Sequence, residues 1–175
     1  MSHEINGVGM PDNWQRLWAP HRLEYLRGEN RPLVGNDVAC PFCAIPEMSD
    51  EEGLIVHRGV NAYVVMNLYP YNPGHLLVCA YRHVADLTDL SEEERNEISA
   101  LTAHAMGTIR KVSGPEGFNL GMNQGAISGA GVAAHIHQHV VPRWSGDANF
   151  MPIIGKTKVL PQLLQLTRDE LSAAW

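Results

Sequence analysis

The stretch His135-Ile136-His137-Gln138-His139-Val140-Val141 decides how this chain is read. As a strand, it sends successive side chains to opposite faces, so His135, His137 and His139 share one face while Ile136, Gln138 and Val140 share the other. Three imidazoles facing one way need a chemical reason. A single metal ion held by all three is disfavoured, because a strand rises about 3.3 Å per residue and sets the outer two roughly 13 Å apart, whereas a ligand nitrogen sits about 2.1 Å from zinc. A division of labour fits better: one imidazole attacks, and its neighbours orient it, bind anionic oxygens or serve another site. A neutral imidazole, with a free pKa of about 6.5, keeps a lone pair near neutral pH and is a good nucleophile towards phosphorus. Phosphoryl or nucleotidyl transfer suits that chemistry.

Upstream of the strand, Asn123, Gly125, Gly129 and Gly131 mark a glycine-rich loop over 125–131 whose backbone N–H groups can approach phosphate oxygens. Cys40-Pro41-Phe42-Cys43 reads either as half of a zinc site or as a redox pair. The redox reading expects a helix opening at the first cysteine within a βαβ unit; Pro46 and the strands that follow favour zinc. Zinc needs two more ligands, and His83 is a candidate for one of them. Cys79, in an apolar run, reads as core.

Residues 54–57 and 62–67 read as strands joined by the turn Arg58-Gly59-Val60-Asn61, and 75–80 as a third strand after the break Tyr69-Pro70-Tyr71-Asn72-Pro73-Gly74. Ser91-Glu92-Glu93-Glu94 is a capping box opening one long amphipathic helix through Ile98, Leu101, Ala105, Ile109 and Val112, which ends near Gly114-Pro115. Residues 117–122 and 136–141 supply two further strands. The expected fold is α+β, a five-stranded antiparallel sheet with the long helix on one face. The expected core domain spans 36–152. An N-terminal extension, 1–35, carries two short helical stretches around Asn13 to Trp18 and Leu23 to Leu26, and a C-terminal extension, 153–175, carries a helix over 162–175.

Composition narrows the function. With 175 residues, 45% hydrophobic and 18% charged, the chain has the size and make-up of one globular domain, and no apolar run nears the roughly 20 residues of a membrane span. The start, Met1 to Asn13, lacks the basic and apolar regions of a secretory signal, so the expected compartment is the cytoplasm. A net charge of −6 argues against binding nucleic-acid backbone, so an anionic substrate must be held by a local site. No Walker loop or acidic metal site is visible, and magnesium is expected only in company with the substrate's phosphates.

His-Ile-His-Gln-His-Val-Val, followed by Pro142-Arg143, resembles the signature of the histidine-triad (HIT) superfamily, and Asn67 with Pro73-Gly74-His75-Leu76-Leu77-Val78 resembles the segment which that family places upstream. The resemblance covers roughly 40–150. Pro142-Arg143-Trp144-Ser145-Gly146-Asp147 resembles the branch acting on dinucleoside polyphosphates, which includes the fragile-histidine-triad hydrolases. Residues 67–75 and the flanking extensions are most similar to actinobacterial diadenosine tetraphosphate phosphorylases. The resemblance implies a nucleotidyl intermediate on the middle histidine, His137, a phosphate contact at His139, and nucleotide contacts at Asn67, His75 and Trp144 as well as at the glycine-rich loop. It implies zinc on Cys40, Cys43, His83 and His135, and a homodimer. Two positions depart from the pattern: Ala130-Gly131 stands where many members carry Gly-Gln, leaving Asn123 or backbone groups to hold the phosphate, and Gln138 replaces an apolar residue. The rival expectations are a nucleotide-binding module without turnover and a hydrolase whose zinc is catalytic.

Overall fold

The computed structural model describes residues 40–147 and 162–175. The helical stretches expected within 1–35, and the boundary expected near 152, lie outside the described residues.

Five strands form one antiparallel sheet in the order β1-β2-β3-β5-β4: β1 Ile55–Arg58, β2 Ala62–Met66, β3 Leu76–Ala80, β4 Gly117–Met122 and β5 His137–Arg143. β2 and β3 are buried at every position, as their unbroken apolar runs require. The ladder sets Tyr63, Cys79 and His137 side by side on one face, with Val65, Leu77 and His139 in the next row. The opposite face, carrying Val64, Val78, Val140 and Phe118, is covered by helix α2, Glu92–Ser113, whose Arg110 lies 5.0 Å above the Phe118 ring.

Helix α2 begins as expected. The Ser91 side chain accepts from Glu94 N, and the Glu94 carboxylate accepts from Ser91 N at 2.7 Å. The helix stops at Gly114 in the left-handed conformation, φ 56°. Its buried stripe runs through Ile98, Thr102, Ala105 and Ile109, while Leu101 and Val112 pack at the edge of the core.

Most element ends shift by a residue or two, and some of the differences have a clear physical cause. β5 starts at His137 rather than Ile136 and runs past Pro142 to Arg143, because β3 stops pairing at Val140 and only β4 continues beside the proline. His135 thus precedes the strand. β1 starts at Ile55, since Leu54 adopts φ 54°, and its register slips between Ile55 and His57. The carbonyls exposed at that irregularity are captured by helix α3, Leu164–Ala173: Arg168 Nε donates to Ile55 O at 2.7 Å and Ser172 Oγ to Val56 O at 3.1 Å. A single helical turn, α1 Pro41–Ala44, also opens directly after Cys40, continued by a 3-10 turn at Ile45–Glu47. Pro46 is no obstacle, because it sits where a helical turn leaves its backbone N–H unsatisfied.

Candidate active site

At one end of the triad the sulfurs of α1 meet two imidazoles. Cys40 Sγ and Cys43 Sγ each lie 3.5 Å from His135 Nδ1, and Cys43 Sγ lies 3.3 Å from His83 Nδ1. The four ligand atoms all fall within 4.8 Å of one another, and both cysteines are free thiols. Two sulfurs and two ring nitrogens at that spacing suit a tetrahedral zinc ion. His135 Nε2 donates to Ala80 O at 2.9 Å, which turns the Nδ1 lone pair towards the sulfurs as a metal ligand requires. The cluster could hold a metal ion, and its four members are those the family resemblance implied. A redox helix would instead sit in a βαβ unit, which this antiparallel sheet lacks among the described residues. Burial, followed by the neighbouring Cys40, pushes the Cys43 thiol up; a coordinated cation would reverse this, because the ligand is the thiolate.

His137 is buried at the start of β5, and its Nδ1 lies 2.9 Å from His135 O. A carbonyl only accepts, so the proton sits on Nδ1 and the Nε2 lone pair is left available. Burial holds the ring below its ordinary value of 6.5, against the pull of that carbonyl, and so keeps it neutral. The Phe42 ring lies 4.7 Å away and the His139 ring 4.9 Å away.

A second relay fixes His139. The backbone N–H of Tyr71 donates to His75 Nδ1 at 3.0 Å, and Asn67 Nδ2 lies 3.2 Å from the same atom. With Nδ1 accepting, His75 carries its proton on Nε2 and donates to His139 Nδ1 at 2.9 Å. His139 then carries its own proton on Nε2, an atom that is buried and without a hydrogen-bond partner among the described residues. Burial, then His137, holds His139 down at about 4, so at neutral pH it is an uncharged N–H donor. The Tyr71 ring stacks on His139 at 5.7 Å and 16°.

The other expected residues divide. His75 is fully buried behind His139, and Asn67 is pinned beside it by its backbone N–H to His75 O and by its Oδ1, which accepts from Tyr69 N. Asn123 follows the Met122–Gln138 pair at the triad end of β4, and Gly121, opposite His139, leaves open space there. Gly125 and Gly129 take φ 79° and 83° around a 3-10 turn at Ala126–Ser128, which ordinary side chains would strain. Gly131 lies two residues beyond Gly129, half-buried, after the buried Ala130. Gln138 turns its amide to Gly121 O and His139 O, which satisfies a polar side chain on the helix-covered face. Trp144 is not brought to the triad. Alternation along β5 carries it to the α2 side, where Nε1 donates to Ser113 O at 3.3 Å.

Sequence reasoning passed over three residues. Phe42 and Tyr71 pack on the catalytic-face imidazoles, and both stood inside quoted motifs. Asp147 accepts from Arg143, Asn72 and Trp144 N and ties the loop before His75 to the end of β5. Its carboxyl is held well below the usual range, chiefly by the Arg143 guanidinium.

Comparison with known proteins agrees with this architecture. Residues 51–146 match the HIT domain family. The chain is 52% identical over 172 residues to the AP-4-A phosphorylase of Mycobacterium tuberculosis, covering 97% of this chain and 88% of that protein. It is 32% identical over 116 residues to the bifunctional bis(5'-adenosyl)-triphosphatase/adenylylsulfatase FHIT of Arabidopsis thaliana, covering 63% of each. A Zn-bound histidine triad family protein from Mycobacterium smegmatis superposes with a TM-score of 0.62 at 27% identity, covering 78% of this chain and 92% of that one. The triad at the head of β5, the histidine relay behind it and this breadth of sequence match lead to one conclusion: the chain belongs to the HIT domain family.

Proposed function

We propose that this chain cleaves dinucleoside polyphosphates at the α-phosphate, through a nucleotidyl intermediate on His137. The observation that carries the reading is the 2.9 Å contact of His137 Nδ1 with His135 O, which commits the ring proton to Nδ1 and leaves Nε2 with its lone pair. In the first step Nε2 forms a bond to the α-phosphorus as the bond to the leaving polyphosphate oxygen breaks; in the second an acceptor oxygen attacks that phosphorus and releases His137. His139 Nε2–H donates to a phosphate oxygen as charge builds, its uncharged state maintained by burial and its direction by His75. Asn67, Asn123 and the backbone at Gly125, Gly129 and Gly131 are assigned to nucleotide and phosphate; Trp144, on the α2 side, is left out of this set. Cys40, Cys43, His83 and His135 would hold a zinc ion, which would brace the two-cysteine turn beside the nucleophile as a structural metal with its coordination filled by protein. Any magnesium is expected to arrive with the substrate.

The substrate class rests on the likeness to the mycobacterial phosphorylase, which also favours inorganic phosphate over water as acceptor. The open edge of β4, which pairs only with β5 among the described residues, supports the expected homodimer. Among the described residues no helix is long and apolar enough to cross a membrane.

Product analysis with diadenosine tetraphosphate, with and without inorganic phosphate, tests the reading. ADP plus ATP in the presence of phosphate is expected. AMP plus ATP would mean that water is the acceptor, while two ADP, or no cleavage, would contradict attack at the α-phosphorus.

A further inference from the structure

The His137 ring is constrained by groups of very different origin. Its Nδ1–H is held by His135 O, its cross-strand neighbour is Cys79, and His139 follows on the same strand. The remaining wall comes from outside the sheet: Phe42, whose centroid lies 4.7 Å from that of His137 at an interplanar angle of 43°, and 5.6 Å from that of His135. Phe42 stands between the two cysteines in the single turn α1, closed by Cys43 N and Ala44 N on Cys40 O at 3.0 and 3.1 Å. Its own carbonyl accepts from Tyr63 Oη at 2.8 Å, and Tyr63 is fully buried in the sheet. The turn is therefore anchored at its backbone by Tyr63 and at its ends by the sulfur–imidazole cluster, and its one buried side chain meets the nucleophile.

We propose that Phe42 is a positioning residue for the reaction, the part through which the two-cysteine turn restricts the His137 ring to the orientation that aims Nε2 at phosphorus. This rests on the proposed role of His137. The hydrogen bond to His135 O limits rotation in the ring plane but leaves tilting about that bond open; the Phe42 ring, tilted at 43° against His137, closes that freedom. A small displacement of an attacking atom is costly, about a hundredfold in rate for roughly 1 Å. A residue that supplied only core volume would affect stability, not the rate per folded molecule.

The test compares wild type, Phe42→Ala and Phe42→Leu, each loaded with zinc and checked for metal content. Rapid-quench single-turnover reactions with α-labelled diadenosine tetraphosphate read the rate of protein labelling, and nitrogen-15 relaxation of the histidine rings reads how far the His137 ring tilts. Expected for Phe42→Ala is labelling slowed by about tenfold or more at saturating substrate, KM within about twofold, unchanged zinc content and a more mobile His137 ring that keeps its Nδ1–H tautomer. Phe42→Leu, which restores most of the wall, should recover much of the rate. Full labelling rate in folded, zinc-loaded Phe42→Ala would overturn the proposal, as would a loss confined to thermal stability. If wild type acquires no label, the proposed function fails, and the ring relaxation alone decides: a His137 ring as rigid in Phe42→Ala as in wild type then overturns the positioning role.

Discussion

His135 and His139 flank His137 at equal distance in sequence, but the two ends of the triad are built from opposite materials. Around His135 lie two sulfurs, a second imidazole and the Ala80 carbonyl, which together turn Nδ1 into a lone-pair ligand. Around His139 lie His75 and Tyr71, which leave Nε2 as an N–H donor without a partner among the described residues. His137, between them, has its lone pair freed by a carbonyl of its own strand segment. Three identical side chains thus receive three tasks, and what assigns each task is the partner on the ring's other nitrogen. A motif read only as three histidines cannot distinguish them.

Breaking the centre should cost most. His137→Ala is expected to lower turnover on the order of 10³-fold or more while the melting temperature stays near wild type, as steady-state rates and thermal unfolding would report. A comparable loss in stability would mean that His137 is mainly structural.

Breaking the sulfur end should act first on metal and stability. Cys43→Ser removes a direct ligand and is expected to weaken zinc binding beyond the about 10- to 100-fold typical of outer-shell changes. It should also lower the melting temperature, and chelation should add little to the variant. Retained turnover at low temperature would sharpen the contrast between the two ends; a loss as deep as that of His137→Ala would favour a catalytic metal.

At the imidazole end, His75→Ala removes the donor that sets the His139 tautomer. A loss of roughly tenfold in kcat is expected, the scale of one charge-assisted hydrogen bond, with zinc content unchanged. No change would show that His139 needs no such partner.

Smallest is the effect of a site remote from both ends. The Arg82 guanidinium, opposed by burial and aided by Ser91 N, holds the Glu94 carboxyl at about 2, below its ordinary 4.5. Its stabilisation is fully present above pH 4.5 and is lost as pH falls towards 2. Glu94→Gln should cost about 1 kcal/mol at neutral pH, given the exposed arginine, and should flatten the acid limb of stability against pH without moving turnover per folded molecule.

What was legible in the sequence is what short-range physics writes there. The Ser91 capping box, the Gly114 stop and the alternation that turns His137 and His139 to one face all reappeared. What was not legible depends on partners far apart along the chain. Cys43 and His135 are 92 residues apart and His75 and His139 are 64 apart, so the zinc cluster could only be half filled from spacing, and the relay behind His139 was read as a direct nucleotide contact at His75. Phe42 sat within the two-cysteine motif, but nothing local said that its ring would reach His137. The carbonyls at the slip in β1 are taken up by Arg168 and Ser172, more than a hundred residues on, which no local pattern announces.

The central claim is that His137 Nε2 makes the covalent bond. Brief incubation with diadenosine tetraphosphate labelled at the α-phosphate, alkaline denaturation and peptide mapping tests it most directly. The account predicts an acid-labile nucleotidyl group on the peptide containing His137, absent from His137→Ala; label on another residue, or label that persists in His137→Ala, would contradict it.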